Sequence, residues 1–297
     1  MYDRFAFEQG GHFFCKKVGE NLNQNWIVEN LNNAFSTWNG KLGELWGLVT
    51  TGPQTFKGGA VWSVMQTLHN GMVGIGYALV VLFFAISLCK NTMNFHELKR
   101  PEAAIHYLIR FVAAKALVGY GMDIMLNVFS ICNGIVTDMA NSMGGISEAM
   151  VSLPAEMQTA IENVGFLASI PLWLVTILGS LFITVLSFVM ILTVYGRFFR
   201  LYMYTALAPL PLAAFAGEST QSVGISFLKS YVGVCLEGAV IVLACVIYSA
   251  FVSTPTVASG EATTIVWSYL AETVFNMLVL VGLIKGSDRI IHEMMGL

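Results

Sequence analysis

Ionisable side chains lie inside long apolar segments of this 297-residue chain, and they are its main candidates for chemistry. A charged group near the middle of a bilayer costs at least ~2.5 kcal/mol, so such groups face protein or water rather than lipid. They can form a proton relay or line a polar path, or they can join helices through hydrogen bonds and ion pairs. The candidates, with the amides that share their spacing, are Lys115, Asp123, Asn127, Glu237, Glu272 and Asn276.

Three of these residues recur at four-residue or eight-residue steps, which predicts one polar stripe along a single helix. They are Lys115, Asp123 and Asn127, with Gly119 between them. We expect this stripe to pack against the polar residues of two later helices, with Lys115 and Glu237 as an ion pair. A structural and a functional role for the acids both remain open at this point.

A second polar face has hydroxyls at three-residue and four-residue steps within another apolar segment. Small hydroxyl side chains are common packing material between membrane helices. We therefore expect contacts between helices here, although a polar lining is the alternative. The residues are Thr176, Ser180, Thr184 and Ser187.

Familiar catalytic and cofactor motifs are missing from the sequence. Lys285 lies in a glycine-containing stretch with the wrong spacing for a P-loop, and His96-Glu97 is followed by Arg100 where a zinc-binding helix needs a second histidine. The five cysteines form no metal-ligand spacing and are expected to be small buried apolar groups. We expect no enzyme activity and no cofactor.

The composition indicates a membrane protein. Apolar residues make up 56% of the chain, charged residues make up 11%, and the mean hydropathy is +0.70. So little polar surface cannot cover an ordinary water-soluble domain. The net charge of −3 argues against a protein that binds nucleic acid by itself, because such proteins carry basic patches.

Five apolar runs are long enough to cross a bilayer, which takes about 20 residues in a helix. We therefore predict an all-α fold: a five-helix transmembrane bundle over 70–297, preceded by an amphipathic N-terminal region over 1–69. The runs are about 71–88, 105–136, 164–195, 227–253 and 264–284.

The N-terminal region carries apolar residues at steps of three and four, which is the pattern of one helix face. Two interpretations are equally compatible with it. The helix packs on the rest of the protein, or it lies in the outer membrane interface. The face consists of Leu31, Phe35, Trp38, Leu42, Leu45 and Val49.

The distribution of Lys and Arg predicts the orientation in the bacterial cytoplasmic membrane. The loops at 137–163 and 253–263 contain neither residue. With five spans, all basic clusters fall on the cytoplasmic side, the N-terminus lies outside and the C-terminus lies inside. The clusters are Lys90, Lys99, Arg100 and Arg110; Arg197 and Arg200; Lys229; and Lys285 and Arg289.

A short apolar piece at 201–216 contains Pro209 and Pro211, which remove two backbone donors. It is predicted to be a broken, re-entrant or interfacial elbow. Arg197 and Arg200 precede it on one face, and Tyr202 and Tyr204 suit a membrane interface. The elbow is expected either to dock cytoplasmic partners or to anchor the chain by its positive charge.

The stretch from Arg197 through Pro209 and Pro211 to Glu218 resembles the core of TrbL-like conjugal transfer proteins. These are polytopic inner-membrane subunits of type IV secretion systems, corresponding to the sixth VirB component. The five spans, the central outer loop and the segment Phe111-Val-Ala-Ala-Lys115-Ala-Leu add to the resemblance, which covers about residues 60–290.

The resemblance implies a channel or platform subunit that assists the transfer of DNA with attached relaxase. It also implies membrane-associated ATPases and bitopic assembly proteins as partners, a homo-oligomer, contact with lipid, and DNA only as a passing substrate. The alternative is a small-solute or ion transporter that uses the buried acids. Transporters often have paired broken helices, and only one broken segment is recognisable in the sequence.

Overall fold

The computed structural model describes the backbone of residues 3–92, 101–142, 150–164, 166–251 and 262–296. Helices account for almost all of these residues, and a 3-10 turn at Phe56–Gly59 precedes the second helix. The helices are α1 (Asp3–Thr50), α2 (Ala60–Thr92), α3 (Pro101–Gly119), α4 (Gly121–Ser142), α5 (Ala155–Glu162), α6 (Phe166–Leu207), α7 (Pro209–Ala213), α8 (Gln221–Phe251) and α9 (Ala262–Met295).

Four segments of the described chain are long and apolar enough to cross a membrane, and α3 with α4 forms a fifth if the bent pair is one span. This confirms the predicted all-α polytopic membrane bundle. The four segments are Phe56–Lys90, Ile170–Leu207, Gln221–Ala250 and Thr264–Met295.

The predicted second span is not one straight helix, because α3 and α4 meet at an angle of 73°. Glycine is about 1 kcal/mol less favourable than alanine in a helix, and Gly119 and Gly121 flank the break. Gly121 also lets the α4 backbone approach Leu212, whose Cδ1 would lie 3.2 Å from a Cβ at this position. The expected single stripe from Lys115 to Asn127 is therefore wrong.

Helix α6 continues further than the sequence pattern suggests. It begins before Pro171, which lies inside the helix, and it ends at Leu207. The predicted elbow is therefore helical up to Leu207, and the break falls at Ala208 between α6 and α7. One side of α6 exposes large apolar residues from Ile170 and Leu174 to Met203 and Leu207.

The chain divides into two compact units. The first contains residues 1–46, 145–192 and 244–284. In it, Asn30 of α1 donates to Ser180 Oγ of α6 at 3.1 Å, and Trp26 lies against Trp173. The apolar face of α1 is buried by protein, which supports the first interpretation of that face.

The second unit contains residues 47–144, 193–243 and 285–297, and in it the elbow packs against α2 and α3. His69 Nδ1 of α2 donates to the carbonyl of Thr205 at 2.7 Å. One end of the elbow reaches the end of α2, where the Glu218 N–H donates to Ser87 Oγ at 3.4 Å. The elbow thus lies beside the apolar run of α2.

Gly76 sets the distance between α2 and the elbow. A Cβ at this position would lie 2.9 Å from Val118 Cγ1 and 3.0 Å from both the Cβ and the carbonyl oxygen of Pro209. We expect Gly76→Ala to destabilise the protein by about 1–3 kcal/mol through overpacking, measured as loss of folded protein from the membrane. Gly74→Ala, where nothing lies within 4 Å, is the matched control. Equal abundance of the two variants would contradict this packing.

Candidate functional site: an ionic cluster around Glu237

Glu237 lies within α8 and is only 1% exposed. Arg200 of α6 donates from Nη2 to both carboxylate oxygens of Glu237, each at 2.7 Å. Ser287 of α9 donates its hydroxyl to Oε1 at 3.2 Å. The other terminal nitrogen of Arg200 binds Asp288, also on α9. One arginine therefore joins α6, α8 and α9 within the second unit.

Arg197, one turn before Arg200, is completely buried. Its guanidinium donates to the backbone carbonyls of Val49 at 3.3 Å, Val234 at 3.3 Å and Cys235 at 3.4 Å. Val49 belongs to the last turn of α1, where unpaired carbonyls and the helix dipole favour a cation. Arg197 and Arg200 are balanced in charge by Glu237 and Asp288.

Gly238 provides the space for the Arg197 guanidinium. A Cβ at this position would lie 2.7 Å from Nη1 and 2.9 Å from Cζ. The guanidinium is held by three carbonyls, so it cannot move aside as a free surface side chain would. The glycine directly after Glu237 is thus part of the cluster.

Helix α4 packs on α8 next to the cluster. Tyr231 donates its hydroxyl to the carbonyl of Met125 at 2.8 Å. Cys132, Cys235 and Cys245 are buried as expected, whereas Cys89 is exposed. The side chain of Cys15 lies outside the described residues.

In the cluster, opposite charges neutralise one another and connect neighbouring helices. The carboxylate of Glu237 has three hydrogen bonds and is closed to solvent, whereas Arg200 is 28% exposed and Asp288 is 45% exposed. His292 Nε2 lies 3.7 Å from Asp288 on the solvent-exposed side of the cluster. Among the described residues, no group of three or more His, Cys, Asp or Glu side chains is arranged to hold a metal ion.

The structure separates the predicted polar seam. Glu237 and Asn276 are buried, whereas Lys115, Asp123, Asn127 and Glu272 are exposed. The expected Lys115–Glu237 pair is wrong, because Arg200 occupies both carboxylate oxygens. Helix α8 begins at Gln221, which puts Glu237 ~24 Å along the helix rather than two turns from its start.

Arg200 was missed as the partner of Glu237 because the sequence pattern assigned it to the start of the elbow. The available signal was its spacing: Arg197 and Arg200 lie at i and i+3 and so share one face of any helix that continues through them. Asp288 was likewise not singled out. Its only signal was a polar position beside Ser287 near the end of the last apolar run.

The elbow residues differ in their accessibility. Arg197, Tyr202 and Pro209 are buried, and the Tyr202 hydroxyl donates to the carbonyl of Pro53 at 2.8 Å. Tyr204 and Pro211 are half-buried. In this conformation, only Arg200, Tyr204 and Pro211 of the predicted docking residues offer surface to a partner.

The basic residues of the second unit lie near both ends of α2 rather than near one end. Phe56, just before α2, stacks on Phe198 at 4.0 Å between ring centroids, which puts Arg197 at this end. At the other end, Phe84 lies against Phe111 at 4.8 Å, next to Arg110. The expectation that all basic clusters lie on one side fails for Arg197 and Arg200 if α2 crosses the membrane. Their charges are instead neutralised inside the protein.

The hydroxyls on the polar face of α6 are occupied by contacts within helices. Thr176 and Ser180 donate to carbonyls three residues back, and Thr184 and Ser187 donate to carbonyls four residues back. Ser180 also accepts the hydrogen bond from Asn30. Among these four hydroxyls, the structure therefore shows a contact with another helix for Ser180.

Comparison with known proteins gives a family match. The model of the family described as TrbL/VirB6 plasmid conjugal transfer like protein matches residues 38–209, which is more than half of the chain. No curated protein matches the chain, and no solved structure matches it. The match includes Arg197 and Arg200 and ends at Pro209 in the elbow. The chain therefore belongs to the TrbL/VirB6 plasmid conjugal transfer-like family, whose members are membrane components of type IV secretion and conjugation systems.

Proposed function

We propose that this chain is an inner-membrane channel or platform subunit of a conjugation system and assists the transfer of DNA with attached relaxase. The family match over residues 38–209 carries this proposal. The apolar helices that could cross a membrane support it, because such a subunit must be polytopic. Its partners in this role are an ATPase, bitopic assembly proteins and further copies of the chain.

The ionic cluster fits a subunit that must keep its helices in fixed register. Arg200 ties α6 to α8 and α9, and Arg197 ties α6 to the end of α1. Such a cluster resists the sliding of one helix along another, because sliding would break several charged contacts at the same time. We assign it a structural role in the platform.

An in-frame deletion of the gene, complemented by the wild-type chain, tests the proposal. We expect the deletion to abolish conjugative transfer from the donor and complementation to restore it. Transfer at the wild-type rate from the deletion strain would overturn the proposal.

The transporter alternative gains one observation from the structure. The α3–α4 break is a second broken helix, and it meets the elbow where Gly121 approaches Leu212. Paired broken helices are common in transporters. Loss of a small-solute or ion flux in the deletion strain, with conjugation intact, would favour this alternative over the first proposal.

The topology is proposed as five spans with the N-terminus outside and the C-terminus in the cytoplasm. Lys90, Arg110 and Lys229 support this orientation; Lys99 and Arg100 lie outside the described residues. Asn94 and Ser147, the loop positions at which cysteine labelling would otherwise test the orientation, also lie outside the described residues. Lys90→Cys and Ser142→Cys are therefore better probes. Lys90 lies two residues before the end of α2, Ser142 is the last residue of α4, and both are exposed.

In a chain without Cys15 and Cys89, we expect an impermeant maleimide to label position 142 but not position 90 in intact cells. Permeabilised cells, in which both positions should react, are the control. If neither position reacts until the cells are permeabilised, the α3–α4 pair is a re-entrant loop and the chain has four spans. Labelling of position 90 alone would reverse the orientation.

A further inference from the structure

Helix α4 exposes a polar face along most of its length. Its apolar side chains pack against protein on the other side, where Met125 and Val136 are completely buried. Six exposed residues at steps of three and four lie within an arc of ~80° around the helix. We call them the α4 polar face: Asp123, Asn127, Ser130, Gly134, Asp138 and Asn141. They cover ~27 Å along the helix axis, which is close to the ~30 Å thickness of the hydrocarbon layer.

The α4 polar face contrasts with α3, the other half of the broken span. On α3, the side chains of Ile105, Leu108 and Val112 are each more than half exposed, as is usual for a surface that faces lipid. On α4, the exposed large apolar side chains are Ile131 and Ile135, which lie at one edge of the polar face. The two halves therefore need different surroundings, and those of α4 must include polar groups.

Asp123 lies level with the interior of two segments that are long and apolar enough to cross a membrane. Two residues before it, a Cβ built on Gly121 would lie 3.4 Å from His69 Cε1 of α2. Two residues after it, the carbonyl of Met125 accepts the hydroxyl of Tyr231 of α8. His69 and Tyr231 are each at least ten residues, or ~15 Å, from the ends of the segments that contain them. In the proposed topology, the α4 polar face therefore reaches membrane depth.

Neither lipid nor an apolar protein surface can cover these carboxylates without a large cost. An aspartate inside the hydrocarbon layer costs at least ~2.5 kcal/mol. Helix α4 contains no Lys or Arg, and within the described part of the chain neither Asp123 nor Asp138 forms an ion pair. Protein packed on this face would bury two uncompensated charges. Water solvates both carboxylates and the amides between them.

We propose that the α4 polar face lines a water-filled passage that enters the membrane and admits cations. Aspartates exposed to such a passage attract cations, as acidic rings do in cation channels, and they repel the phosphates of DNA. The passage is therefore separate from the path of the DNA. This inference goes beyond the DNA transfer role proposed above and does not depend on it.

Cysteine reactivity in membranes tests for water at this face. The chain lacks Cys15 and Cys89 and carries either Asn127→Cys or Ser130→Cys, and a charged, water-soluble thiosulfonate is given access to both membrane surfaces. The thiolate is the reactive species, and it forms in water but not in hydrocarbon. Leu68→Cys is the control at the same level, because Leu68 is 46% exposed and directly precedes His69. We expect positions 127 and 130 to react and position 68 not to react.

The charge of the reagent tests for the cation preference. At position 127, we expect a cationic thiosulfonate to react about tenfold faster than an anionic one, after each rate is divided by that with a free thiol in solution. Asp123→Asn with Asp138→Asn should bring this ratio close to one. Asp123→Glu with Asp138→Glu keeps both charges, so this matched variant should keep the ratio.

Each of three results would overturn the proposal. No reaction at positions 127 and 130 would show that lipid or protein covers the face. Equal reaction at position 68 would show that this level of the chain lies in bulk water, outside the bilayer. A ratio that the Asp→Asn changes leave unaltered would remove the cation preference. None of these measurements uses conjugative transfer, so they give the same result whether or not the proposed DNA role is correct.

Discussion

Glu237→Gln should strongly reduce the amount of folded protein in the membrane. The change removes the negative charge that Arg200 and the buried Arg197 face, and it leaves Asp288 alone to balance the two guanidinium groups of the cluster. Breaking a buried ion pair from one side costs about 3–5 kcal/mol. Membrane abundance at equal expression and the unfolding temperature in detergent measure the effect.

The double change Arg200→Met, Glu237→Met should recover part of the lost abundance, because it removes the buried carboxylate together with the arginine that binds it and keeps the volume filled. Arg289→Gln is the control for the loss of an ion pair. Arg289 and Glu293 are 86% and 65% exposed, so their pair contributes at most about 1 kcal/mol. If Glu237→Gln is as abundant as Arg289→Gln, the cluster does not hold the helices together.

Gly238→Ala should also destabilise the protein, by about 1–3 kcal/mol. The added methyl would press on a guanidinium that three backbone carbonyls hold in place. Either the arginine moves and loses hydrogen bonds, or α8 moves away from α6. Thermal unfolding in detergent, followed by circular dichroism, measures the loss.

Gly196→Ala is the control that measures the effect of replacing a helical glycine where the added methyl group has space. Gly196 precedes Arg197 in α6, and nothing lies within 4 Å of a Cβ built on it. Alanine is the better helix former, so this variant should be as stable as the wild type or more stable. An equally stable Gly238→Ala variant would show that Arg197 is not confined as described.

Much of the architecture follows from the sequence because it depends on local pattern. The apolar runs predicted helices, and the steps of three and four from Leu31 to Val49 predicted one apolar face of a helix, which α1 buries against protein. The two prolines at 209 and 211 predicted a break, which the structure places at Ala208. Each of these features is determined by residues close together in the chain.

The ionic cluster could not be predicted in the same way, because its partners are distant in sequence. Glu237 is 37 residues from Arg200 and 50 from Ser287. The predicted pair of Glu237 with Lys115 depended on the assumption that their two helices start where the apolar runs start. Instead, α8 begins six residues earlier than Phe227, and α3 turns away from α4 at Gly119. A small error in the predicted end of a helix therefore leads to the wrong prediction of which side chains are in contact.

The length of α6 has a consequence for the surroundings of the protein. Exposed apolar side chains occur from Ile170 to Leu207, which are ~56 Å apart along the helix axis. The hydrocarbon layer of a bilayer is ~30 Å thick, and even a 40° tilt leaves ~43 Å of this face along the membrane normal. Lipid of ordinary thickness cannot cover all of it. The excess must be met by a locally thicker bilayer or by the apolar surface of a neighbouring protein, so hydrophobic mismatch is built into this helix.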